Sequence, residues 1–131
     1  MKYIAPLLVT ALVVTASLTS FAQGPARGRV DPPRDPIMET TAQHNLDVAR
    51  WYLTKRKAFD GARDRLQEIL DTYPEFSRLD EVLFLMGEVN FKLDKSEKAG
   101  EFYQKVIKDF PGSEFAKKAR ERLKELNLEV K

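Results

Sequence analysis

The chain reads as all-α: a short α-solenoid of two antiparallel helix pairs followed by a capping helix. Three regularities say so. After residue 36, apolar side chains return at steps of three and four through five successive segments, which is the period of one helix face. No stretch alternates singly between apolar and polar for long, so no strand is expected. The third regularity is long-range: "AFDGARDRLQEILDTYPEFS", from Ala58 to Ser77, and "KSEKAGEFYQKVIKDFPGSE", from Lys95 to Glu114, align at an offset of 37 residues. In that register Ala62 falls on Ala99, Leu66 on Tyr103, Ile69 on Val106, Tyr73 on Phe110 and Pro74 on Pro111. Apolar character, a small residue and a closing proline recur while the charges drift, which is how a repeated packing unit is written.

The segments can be taken in chain order. Met1 and Lys2 give a short positive start, Ile4 to Val14 is an uncharged apolar run, and "TASLTSFA" ends with Ser20 and Ala22 flanking Phe21. This is a signal-peptide pattern over residues 1–22, with cleavage expected after Ala22. The alternative is an uncleaved anchor, because Tyr3 to Gln23 is uncharged and about long enough to cross a bilayer as a helix. Pro6 and the Thr- and Ser-rich second half favour cleavage. Residues 23–36, "QGPARGRVDPPRDP", hold four prolines and two glycines and read as a flexible linker. Asp35-Pro36 offers a cap and a first-turn proline.

The repeat domain is expected over 37–131. Helix 1, roughly 37–55, carries the stripe Met38, Ala42, Leu46, Ala49 and Leu53. Helix 2 carries Phe59, Ala62, Leu66, Ile69 and Tyr73, and Pro74 ends it. Ser77 is the expected cap of helix 3, whose stripe is Leu79, Leu83, Met86, Asn90 and Leu93. Helix 4 carries Ala99, Tyr103, Val106 and Phe110 and stops at Pro111-Gly112. Ser113 should cap helix 5, with Phe115, Ala116, Ala119, Leu123 and Leu126 inward and Lys, Arg and Glu outward. Short connections make neighbours antiparallel. Repeat 1 then spans about 43–76, repeat 2 about 80–113, and the capping helix about 114–127.

Composition narrows the function. The chain of 131 residues permits one modest domain. Its net charge of +2 lies entirely in the first 36 residues, and the remainder holds 18 basic and 18 acidic groups. That balance lacks the basic footprint nucleic acid needs. There is no cysteine, hence no disulfide, no thiolate chemistry and no lipid-bearing cysteine at the amino terminus.

Leu83, Met86, Gly87, Ala99, Tyr103, Val106 and Pro111 in the second unit resemble the signature positions of tetratricopeptide repeats. So do Leu46, Ala49, Phe59, Ala62, Leu66, Ile69 and Pro74 in the first. In that motif Gly87 and Ala99 are small because the two helices of a unit cross closely there. More narrowly, "YPEFSRLDEVLFLMGE" and "FPGSEFAKKARERLKEL" resemble the tetratricopeptide lipoprotein subunit of the outer-membrane β-barrel assembly machine (BamD-like) and related periplasmic proteins. The resemblance implies a scaffold that holds assembly components or unfolded substrates. Three features depart from it: no lipid-bearing cysteine, fewer repeats, and Lys57 and Asp94 where a turn glycine is usual.

No constellation points to catalysis, and no cofactor is expected. His44 is the only histidine, and a lone histidine on an exposed helix face is ordinarily just solvated. Glu101 with Lys105 and Glu114 with Lys118 have the spacing of helix-stabilising pairs. Phosphate loops and metal-spaced clusters are absent. The site-like feature is geometric. At about 100° per residue, Trp51 points away from the Leu46–Ala49–Leu53 stripe, beside His44, Asp47, Thr54 and Lys55. Phe84 and Phe91 face away from the stripe of helix 3, bordered by Glu88 and Lys92. In tetratricopeptide folds the first helix of each pair lines the concave face, so these side chains should share one surface for a protein or peptide partner. Helix 1 has no cap before it, and self-association is the other occupant to consider.

Overall fold

In the computed structural model, which describes residues 34–127, the chain is all helical, with no strand among the described residues. The helices are α1 (Pro36–Trp51), continued by a π-helical turn (Tyr52–Arg56), α2 (Phe59–Thr72), α3 (Leu79–Lys92), α4 (Ser96–Asp109) and α5 (Glu114–Glu125). All belong to the compact unit Pro32–Lys131. The expected leader, its cleavage after Ala22 and most of the expected linker lie outside the described residues. None of the described helices is long and apolar enough to cross a membrane.

The caps follow local chemistry. Asp35 accepts from the Ile37 N–H at 2.9 Å with Pro36 in the first turn, and Ser113 Oγ accepts from the Phe115 N–H at 3.1 Å. Ser77 does not cap α3. Arg78 occupies the cap position, and the Ser77 hydroxyl donates instead to the Glu39 carboxylate of α1. The Glu39 carboxylate also accepts from the Ser77 N–H at 3.3 Å, so it holds Ser77 by two charge-assisted hydrogen bonds. Ser113 satisfies both demands at once, capping α5 while donating to Asp80 Oδ2 at 2.5 Å.

The two turn positions that lack glycine adopt left-handed backbone. Lys57 has φ 51° and Asp94 has φ 58°. After α3 the Lys95 N–H returns to the Asn90 carbonyl at 2.9 Å, the six-to-one closure that a left-handed residue makes at a helix end. After α1 the closure is one residue wider, from the Ala58 N–H to the Tyr52 carbonyl at 3.0 Å. The Lys57 N–H returns to the same carbonyl, the i to i+5 bond of the π-helical turn.

Packing joins each helix to its successor, and α5 also touches α3. Two apolar clusters result. Ala42, Leu46, Ala49, Ala62, Leu66 and Ile69 belong to the first; Ala99, Tyr103, Val106, Ala116, Ala119 and Leu123 belong to the second. Met38, placed in the buried stripe by its spacing, is instead 52% exposed. It sits in the first turn of α1, one turn before the helix reaches its partner.

Gly87 is required by contact rather than by backbone freedom. A Cβ there would lie 2.6 Å from Tyr103 Cδ1 and 2.9 Å from Cζ, and closer still to Cε1. The Tyr103 ring thus lies directly on the α3 backbone, fully buried. Asn90 is fully buried too. Its Nδ2 donates to the Met86 carbonyl at 2.7 Å, while its Oδ1 has no partner.

Candidate functional site

The side chains singled out above lie on α1, on the π-helical turn that continues it and on α3, and they differ in exposure. Trp51, in the last position of α1, is 47% exposed. Its ring is flanked by Tyr52, at 5.5 Å between centroids, and by the Arg56 guanidinium, 5.4 Å from its centroid. Phe84 and Phe91 are half-buried against the second cluster. Phe84 packs at 5.7 Å from the Tyr103 ring and 5.6 Å from Phe115 of α5. Phe91 lies under the Arg122 guanidinium at 5.9 Å. Their position opposite the Leu83 stripe is covered in part by α5, which sequence spacing within α3 cannot reveal.

The polar neighbours are also engaged. Asp47 Oδ1 accepts from Gln43 at 3.0 Å and from Arg50 at 2.7 Å. Thr54 donates to the Arg50 carbonyl at 2.8 Å. Lys55 and Lys92 are exposed, and neither makes an ion pair among the described residues. His44 is exposed on the same helix as Trp51. Of the two expected helical pairs, Glu114–Lys118 forms at 3.1 Å and Glu101–Lys105 does not.

Two carboxylates, Glu81 and Glu88, tie successive first helices together. Glu81 is buried and receives Arg50 from α1 as well as Arg78, the latter at 2.5 Å. Glu88 receives the Arg122 fork from α5 at 2.8 and 2.5 Å and the Tyr103 hydroxyl at 2.6 Å. Burial alone would raise the Glu88 carboxyl, but the Arg122 and Tyr103 hydrogen bonds, with the Arg122 charge, outweigh it and hold it below the usual 4.5. Burial and donation to Glu88 push the Tyr103 hydroxyl well above its usual 10.0, so it stays protonated and remains a donor. Arg122 is held charged first by Glu88 and then by Glu125.

Arg50, Arg78 and Arg122 were not among the residues singled out, and Tyr103 was expected only in the apolar stripe of helix 4. They reach their carboxylates across 31, 3, 34 and 15 positions, and only the Arg78–Glu81 spacing is a local helical signal. Between α3 and α5 remains a shallow cleft of about 220 Å³, lined by Phe84, Glu88, Lys118, Glu121, Arg122 and Glu125. Its charges are largely paired internally, and no group of three or more His, Asp or Glu among the described residues is placed to hold a metal. Together α1, the π-helical turn and α3 carry one exposed indole, two half-buried phenyl rings and two ammonium groups that make no ion pair among the described residues.

Compared with known proteins, residues 35–103, just over half the chain, match the family model YfiO, described as outer membrane lipoprotein. That span takes in α1, the π-helical turn, α2, α3 and the first half of α4, including Trp51, Phe84, Glu88 and Phe91. No curated protein and no solved structure matches the chain.

Proposed function

The chain belongs to the YfiO family of outer membrane lipoproteins, and from that membership we propose a non-catalytic scaffold of the cell envelope. It holds a protein or peptide partner on the surface of α1, α3 and α5 and serves outer-membrane protein assembly from the periplasmic side. The observation that carries this reading is Trp51. An indole 47% exposed at the end of a well-packed helix forgoes burial that would stabilise the fold, and tryptophan is the residue type most enriched among binding hot spots. Arg56 and Tyr52 hold the ring in place, which lowers the entropy lost on docking. Phe84 and Phe91 supply ring edges on the adjoining α3, and Asp47, Thr54, Lys55, Glu88 and Lys92 form the polar margin. With Lys55 and Lys92 exposed and in no ion pair among the described residues, a partner segment bearing carboxylates beside apolar side chains is the better fit.

The chain's single tryptophan makes the test direct. Docking should shift Trp51 emission to shorter wavelength, and Trp51→Ala should abolish capture of envelope partners while leaving helical circular dichroism unchanged. Undiminished capture by that variant would reject the assignment. Export with removal of residues 1–22, and the absence of an acylated cysteine, are part of the same proposal. Mass spectrometry of the mature amino terminus checks both and separates a secreted form from a retained anchor.

A second reading rests on a different observation. Ile37 at 76%, Met38 at 52% and Trp51 are the exposed large hydrophobics of the described residues, and all three lie on α1. Ile37 and Trp51, close to four turns apart, fall on one side of α1 and favour a spacer whose α1 face is filled by another copy. Analytical ultracentrifugation decides it: a concentration-dependent dimer abolished by Trp51→Ala supports the second reading, and a monomer throughout eliminates it.

A further inference from the structure

A second concavity shares no residue with the α3–α5 cleft. Between α2 and α4 runs a groove of about 410 Å³ whose apolar wall includes Leu70, Leu79, Phe102 and Phe110. All four are only partly buried. Leu70 and Phe102 pack against both apolar clusters, so the groove lies over the seam between the two helical units. Pockets of this size with an apolar wall and few polar groups are where proteins take up side chains of a ligand.

The rim is charged in an unfavourable way. Asp71 lies in the last turn of α2, which contains no basic residue, and Asp109 is the final residue of α4. Helix C-termini already carry negative partial charge, so a carboxylate at either place works against the fold. Both line the groove, together with Lys105. Asp71 has one oxygen on Gln67 Nε2 at 2.9 Å, and Asp109 has no ion pair among the described residues. Lys108 shares the last turn of α4 but lines the neighbouring hollow instead. Two helix ends and two aspartates thus leave a negative mouth on an apolar trough.

We infer that this groove binds a basic amphipathic segment of a protein partner, with apolar side chains on the Leu70–Phe102 seam and a lysine or arginine across Asp71 and Asp109. Lys105 lines the same wall one helical turn before Asp109. The inference is independent of the Trp51 surface, and a partner could engage both.

A displayed library of helical peptides tests it. The peptides carry fixed leucines at i, i+3 and i+7 and random flanking positions, and selection uses the purified full chain with the double variant Asp71→Asn/Asp109→Asn as counter-target. The enriched peptides should carry Lys or Arg on one flank. They should bind the double variant about three- to tenfold more weakly, the loss expected for surface ion pairs aided by helix ends, and bind Trp51→Ala as well as the unmodified protein. Phe102→Ser, checked for helix content, should weaken them further. Enrichment of acidic or uncharged flanks, equal binding to the double variant, loss of binding with Trp51→Ala, or no enrichment at all would each overturn the inference.

Discussion

Replacing Gly87 by alanine should destabilise the protein, although the same change in an open helix position would stabilise it. Intrinsic helix preference favours alanine over glycine by about 1 kcal/mol. Against this stands a new Cβ at 2.6 Å from Tyr103 Cδ1 and 2.9 Å from Cζ, where carbon atoms prefer about 3.5–4.0 Å. The ring cannot swing aside cheaply. It is fully buried, and its hydroxyl is tied to Glu88 at 2.6 Å. Relieving the overlap needs a shift of α3 from α4, and overpacking of this kind costs about 1–3 kcal/mol or more. The contact term wins, for a net loss of about 1 kcal/mol, reaching about 2 kcal/mol at the upper end of that range, and a fall in melting temperature of roughly 4–8 °C per kcal/mol lost for a unit of this size. Urea unfolding followed by far-ultraviolet circular dichroism measures it. Gly61→Ala is the control. Its Cβ would meet Tyr52 at 3.4 Å, an ordinary contact, so that variant should gain a few tenths of a kcal/mol to about 1 kcal/mol. Tyr103→Leu combined with Gly87→Ala should lose less than the sum of the two. A Gly87→Ala protein as stable as its parent would refute the argument that Tyr103 dictates glycine there.

Three further expectations concern other positions. Lys57→Gly should stabilise the protein by about 0.5–1 kcal/mol by removing a side chain from left-handed backbone, and Asp94→Gly should gain less because aspartate tolerates that region; melting curves of the two variants give the order. Asn90→Leu should add about 1 kcal/mol in urea unfolding, because it removes a buried oxygen left without a donor; a loss of that size would mean the Met86 contact matters more. Glu88 is held below 4.5 when folded, so its contribution is complete above that value and is lost as pH falls through the lower folded value. Tyr103 has the opposite sign: its folded value is raised above 10.0, so stability declines as pH rises past 10.0. Unfolding midpoints across pH should therefore fall at both extremes, and Glu88→Gln should flatten the acid limb.

What lay in the sequence alone was most of what neighbours along the chain govern. The three- and four-residue apolar steps gave the helices, Asp35 and Ser113 the caps, Pro74 and Pro111 the ends, and the 37-residue register the pairing of units. Even the departures at Lys57 and Asp94 marked two of the three described residues that turn left-handed. These features were legible because hydrogen-bonding range, side-chain period and backbone preference all act within a few residues. The three-dimensional packing decided what the outward faces became. Trp51 remained open, whereas Phe84 and Phe91 were partly covered by α5, a helix that no spacing within α3 could anticipate. Ser77 left its own helix for Glu39, and Glu88 found Arg122 and Tyr103 in other helices. Long charged side chains choose partners by approach in space, and a groove such as that between α2 and α4 exists only where two helices fail to close over a seam. Periodicity reports which side of a helix is apolar; only the arrangement of the other helices determines whether that side, or the one opposite, stays in contact with water.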